Sequence, residues 1–148
     1  MDLVRITLAL LLSSVLARAQ SPSLTIGNAV AGQDYAVKAA SFVFRVNGCA
    51  DSPRTHVTAA AEGIVGRARQ EVPLNLIPTQ LPGVYAIGRQ WGAEGSWVVT
   101  ITLTCFNQTA GAIVPVHGAG FVRESTQLFP RAASPAEIEA ALKALQSR

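Results

Sequence analysis

The chain has 148 residues, of which 49% are hydrophobic and 14% charged, with a formal net charge of +3. That composition excludes a disordered chain. The small charge, scattered without dense basic runs, gives no footprint for nucleic acid or for an anionic membrane surface as a partner.

Met1 to Ala19 reads as an export leader. Arg5 supplies a weak positive start, Ile6 to Leu16 an apolar run, and Ala17-Arg18-Ala19 a small-x-small cleavage site. The run is too short to span a bilayer, so no transmembrane span is expected after cleavage. Cutting after Ala19 leaves 129 residues (148 less 19) and a net charge of about +2, enough chain for one domain with a real core. The expected location is extracytoplasmic, periplasmic or secreted. In an oxidising compartment Cys49 and Cys105 read as one disulfide. Closing a loop of about 57 residues would stabilise by roughly 4 kcal/mol on the chain-entropy model. The rival is a pair of free thiols for redox or metal chemistry, which no C-x-x-C spacing or neighbouring histidine supports.

Beyond the leader, Val, Thr and Ile alternate with Gly, Pro and Asn, a mixture that points to a β-domain. Leu24 to Ile26 is a short edge-strand candidate. Ser41 to Asn47 is a stronger strand, with Phe42, Phe44 and Val46 on one face and Val43 and Arg45 on the other. Asp51-Ser52-Pro53 is turn chemistry, and Thr55 to Ala61 a further, alanine-rich strand. Arg67 to Leu76 alternates between a half-apolar and a polar set. Pro73 cannot donate to a ladder, which places this strand at an edge or interrupts it.

Pro82 to Cys105 holds both tryptophans and one cysteine. It reads as a hairpin, with strands Val84 to Trp91 and Ser96 to Cys105. In the second strand Trp97, Val99, Ile101, Leu103 and Cys105 share one face, against Thr100, Thr102 and Thr104 with Val98. Burying Tyr85, Ile87 and Trp91 on the same side as Val99 and Ile101 requires an odd-length turn near Gly92 to Gly95. That register points Arg89 inward, where it must snorkel or pair.

Asn107-Gln108-Thr109 fits a glycosylation sequon, meaningful only in a eukaryotic secretory pathway, and with Ala110-Gly111 reads as a turn. Ala112 to Val116 and Gly120 to Arg123 follow as short strands. The end of the chain changes character. Ser134-Pro135-Ala136-Glu137 is a helix start, and Ile138, Ala141, Leu142 and Leu145 then repeat at helical spacing. Such a stripe either packs on the domain or docks a partner. The expected organisation is a leader over 1–19, a β-domain over 20–125, and a linker with an amphipathic helix over 126–148.

Pro82-Gly83-Val84-Tyr85-Ala86 followed by Gly95-Ser96-Trp97-Val98-Val99-Thr100-Ile101 resembles the closing hairpin of small exported bacterial modules of the YtkA-like type, with related shapes in the FixH-like and CopC-like groups. The resemblance covers roughly Phe42 to Cys105. It implies an immunoglobulin-like antiparallel β-sandwich outside the cytoplasm, here with a short C-terminal helix. The chain departs from the copper-handling relatives in having no methionine after Met1. It also lacks the tryptophan that antibody domains carry about a dozen residues after the first cysteine.

Candidate chemistry is sparse. No G-x-S-x-G elbow, H-E-x-x-H helix or phosphate loop is present, and no carboxylate pair is spaced for acid and base work. The expectation is a non-catalytic binding or accessory module of the cell envelope, needing no cofactor, whose partner is a protein or an envelope component. Arg89, Trp91 and Glu94 at the hairpin tip are the candidate contacts, because loops at a sandwich end vary without damage to the core; the alternative for Trp91 is a place in the core. The alternative is periplasmic metal handling through His56 and His117, with Asp51 or Glu62 as a third ligand.

Overall fold

The computed structural model describes residues 20–29, 35–49 and 53–148. The leader expected over 1–19, and Asp51, lie outside the described residues. In chain order, β1 (Ser23–Gly27) is followed by a single helical turn, α1 (Tyr35–Lys38), then β2 (Phe42–Asn47), β3 (Thr55–Val65) and β4 (Ala68–Pro73). Next come β5 (Ile77–Pro78), β6 (Val84–Ile87), β7 (Ser96–Cys105), β8 (Gln108–His117) and β9 (Gly120–Phe121). A 3₁₀ turn (Arg123–Ser125), β10 (Gln127–Phe129) and α2 (Pro135–Gln146) complete the chain.

The strands form two antiparallel sheets. One has the order β1-β2-β6-β5, the other β10-β8-β7-β3-β4, with β9 on β8. In immunoglobulin lettering these are A-B-E-D and C′-C-F-G, with β10 added beyond G. The expected immunoglobulin-like sandwich is therefore the observed architecture. Alternation positions the core as expected: Phe42, Phe44 and Val46 from β2 meet Trp97, Val99, Ile101 and Leu103 from β7. No tryptophan stands on β3, but Trp97 packs from its neighbour β7 onto Gly63 of β3. A Cβ at Gly63 would come within 2.3 Å of the indole. β4 is an edge strand, and Pro73 closes it, in keeping with its missing donor.

Two parts of the sequence reading are corrected. Val84 to Trp91 and Ser96 to Cys105 do not form a hairpin, and they do not close the fold. β6 pairs with β2 and β5, whereas β7 lies between β3 and β8 in the opposite sheet. Residues 88–95 form an arch between the sheets, pinned where Gly95 (φ 89°) passes Ile64 of β3. A Cβ there would lie 2.4 Å from the Ile64 carbonyl oxygen. Tyr85 and Ile87 do face the core, since they pair with Phe44 and Phe42. No ladder joins β6 to β7, so the length of the 92–95 turn sets no register between them. A Gly-bounded link between two apolar alternations fits a hairpin or an arch equally well.

The second correction concerns Asn107 to Gly111. Only Phe106 and Asn107 form the turn, and β8 begins at Gln108 as the direct partner of Cys105. β8 is buried on both faces through most of its length, so its AIVPV run does not alternate. Pro115 falls between the residues paired with β10 and those paired with β9, where the missing donor breaks no ladder on that side.

The helix stripe packs on the domain. Ile138, Ala141 and Leu142 bury Val98 and Ile113 on the outer face of the β7–β8 sheet. This accounts for Val98, the apolar residue of the threonine face. Ser134 and Glu137 form a reciprocal capping box, with the serine hydroxyl accepting from the Glu137 N–H at 3.3 Å. Arg131 clamps both Glu137 carboxylate oxygens, at 2.9 and 2.7 Å. Arg69 of β4 donates to Glu62 of β3 and to Glu139 of α2, tying helix to sheet. The 126–148 segment, expected as linker and helix, thus also supplies β10.

Candidate functional site

Cys49 follows β2 after Gly48, whose φ of 88° turns the chain out of the strand. Cys105 is the last residue of β7 and sits beside Thr55 of β3. β2 and β7 end at the same end of the sandwich, so the two buried cysteines meet across the sheets. They occupy the ends of strands B and F, the strands that the antibody disulfide joins. They are free thiols, and Cys105 stands close enough to Cys49 to influence its ionisation. Burial, reinforced by the Cys105 contact, pushes the Cys49 thiol up to about 11 against the lowering influence of Thr55. The Thr55 hydroxyl also donates to the Cys49 carbonyl. A protonated, buried thiol is a poor nucleophile, which suits a structural pair better than a reactive one.

The residues proposed at the hairpin tip lie on the 88–95 arch and fare differently. Trp91 is only 7% exposed and belongs to the core. Arg89 is exposed and donates to the Gly92 carbonyl at 3.1 Å, so it does not point inward as the hairpin register required. Glu94 is exposed, and its carbonyl accepts the Trp97 indole N–H at 2.7 Å. The arch is therefore chiefly a seat for two indoles, with Arg89 and Glu94 as its free charges.

His56 and His117 are not brought together. His56 pairs with Thr104, while His117 lies one residue beyond the Val116–Trp97 pair, opposite Ser96. That separation is eight residues of β7, about 26 Å. No single ion can bridge it. Among the described residues no group of three or more His, Cys, Asp or Glu could hold a metal ion.

A surface feature that the sequence analysis missed lies along β1. β1 and β10 are the margins of their sheets, on the same side of the sandwich, and a furrow runs between them. One stretch of about 270 Å³ is lined by Leu24, Ile26, Phe121, Arg123 and Leu128. Further depressions continue past Pro22 and Pro130 to one of about 350 Å³ beside Cys105 and Phe106. Among the described residues, two of the three exposed large hydrophobics, Leu128 (56%) and Phe106 (60%), stand on this furrow. Leu128 pairs with Ala112, a core residue, so it projects from the inner face of its sheet. Among the described residues the opposite sheet stops at β1, whose Leu24 and Ile26 line the furrow with Leu128 but leave it exposed. Phe106 holds a positive φ of 55°, a conformation an aromatic residue rarely adopts. The sequence held little signal for this margin, since a three-residue strand is too short to show alternation.

No family model, curated protein or solved structure matches this chain. Among the described residues, no helix is long and apolar enough to cross a membrane.

Proposed function

We propose that this protein is a non-catalytic binding or accessory module of the cell envelope, exported by its N-terminal leader. The observation that carries the reading is the furrow between β1 and β10, where an inner-face leucine is left 56% exposed. Contiguous exposed apolar surface on a soluble domain marks a contact surface. The sandwich supplies a rigid frame for it, and the leader pattern and the resemblance to YtkA-like modules support an extracytoplasmic setting. The test is affinity capture from the exported fraction with the full chain as bait. A specific, saturable retained component is expected; none at all would remove the reading.

Within this reading Cys49 and Cys105 are joined as a disulfide in the mature protein. Their apposition at the ends of β2 and β7 supports it. Intact-mass measurement of exported protein tests it: a loss of two hydrogens and no alkylation after denaturation is expected. Two alkylated thiols would overturn it.

A further inference from the structure

The β1–β10 margin is built like a sandwich from which one strand is missing. Leu128 projects from the inner face of its sheet, and among the described residues no strand of the opposite sheet lies beyond β1 to cover it. Phe121, paired with the core residue Val116, lies on the same margin, half-buried and tilted against Phe42 at 5.7 Å between ring centroids. In the other sheet β1 is bonded to β2 on one side only, so its outer edge carries backbone donors and acceptors without a strand partner among the described residues. An edge of unpaired backbone groups beside uncovered apolar side chains matches one kind of occupant, an extended chain. A globular partner face would leave the edge groups unpaired.

Charge narrows the occupant further. Of the described side chains lining the furrow from Arg123 to Phe106, Arg123 alone is charged, and it stands at one end. We infer that the furrow between β1 and β10 binds an extended peptide segment of a partner protein, added as a strand to β1. Its alternate apolar side chains cover Leu128 and Phe121, and a carboxylate lies at the Arg123 end. Backbone pairing supplies affinity, and the apolar contacts supply register. The inference rests on the binding-module reading above and names its partner class.

The test uses the full mature chain and a fluorescent synthetic peptide of alternating valine and serine, with its C-terminus either free or amidated. Saturable anisotropy is expected for the free-acid peptide. It should weaken at least about ten-fold in Leu128→Lys, by the logic that truncating or charging a central apolar contact removes a hot spot. Arg123→Gln should abolish the preference for the free acid over the amide. NMR should show β1 amides gaining exchange protection on binding. Leu128→Lys should melt with the wild type, as its exposure predicts; a large fall in melting temperature would show Leu128 to be core and overturn the site. No binding by wild type at millimolar peptide, or equal binding by Leu128→Lys, would overturn the site. Equal affinity for acid and amide would overturn the carboxylate. A wild-type dimer that Leu128→Lys dissociates would assign the furrow to a second copy instead. Failure of the underlying reading looks different: the wild type then retains nothing from the exported fraction. Failure of the furrow alone leaves that retention intact in Leu128→Lys.

Discussion

Leu142 and Leu128 are two leucines at opposite faces of one sheet, with opposite fates. Leu142 comes from α2 and is fully buried over the outer face of β7 and β8. Leu128 stands on the inner face, where a sandwich normally hides its apolar groups, and is 56% exposed. The outer face is closed by a helix held with a capping box, an arginine clamp and an ion pair to β4. The inner margin is left open because the facing sheet ends at β1. Burial here follows from which element happens to lie opposite, not from which face a residue occupies. The covered face serves stability, and the uncovered margin is where we propose that a partner binds.

Mutations and pH can sharpen or break that contrast. The largest effect should come from the sheet-to-sheet tie near the furrow's far end. Cys49→Ala in oxidised protein should cost about 4 kcal/mol, read as a fall in the denaturant midpoint. An unchanged midpoint would mean that no bridge forms. In reduced protein the Cys49 pKa, raised from 9.0 to about 11, sets an alkaline limit. The stability it contributes is complete below pH 9 and is lost as pH rises through about 11. A pH titration of the melting temperature after reduction checks this.

Next in size is the covered face. Leu142→Ala should cost about 3 kcal/mol through a lost apolar contact and the cavity left behind. A thermal melt with no change would show that α2 does not seal the sheet. Ser134→Ala removes the cap and should cost about 1 kcal/mol, measurable by the same melt. The Arg131 guanidinium and the Ser134 N–H hold the Glu137 carboxyl at about 2, below its ordinary 4.5. That contribution is present above pH 4.5 and is lost as pH falls toward 2, so the helix should loosen in acid before the sheets do. Helical circular dichroism followed against pH tests the order. The smallest effect belongs to the open margin. Leu128→Lys should change stability by no more than about 0.5 kcal/mol. A large loss would mean that Leu128 is core after all, and the contrast would collapse.

Much of the fold was legible from local pattern. Phe42, Phe44 and Val46 announced one inner face, and Trp97 to Cys105 the other, because alternation with period two is a local property. The helix start at Ser134 was legible for the same reason: its cap and its stripe are close in sequence. The failures share a cause. Gly92 to Gly95 reads as a hairpin turn in sequence because strand partners are non-local, and these glycines are compatible with a turn or an arch. For Trp91 the sequence supports both a core and a contact reading, and the position of the opposite sheet decides for the core. The histidines were paired on composition, and register then put them at opposite ends of β7.

By itself the sequence determined a β-rich domain, its inward faces, its capped helix and the two cysteines available for a bridge. These depend on spacing along the chain and on intrinsic residue chemistry. Only the tertiary structure decided that β6 and β7 belong to different sheets, that Cys49 meets Cys105, and that the helix lies on Val98 and Ile113. It alone decided that one margin of the sandwich stays open. Whether an apolar group is hidden depends on what the rest of the chain sets opposite it, and no local pattern carries that information.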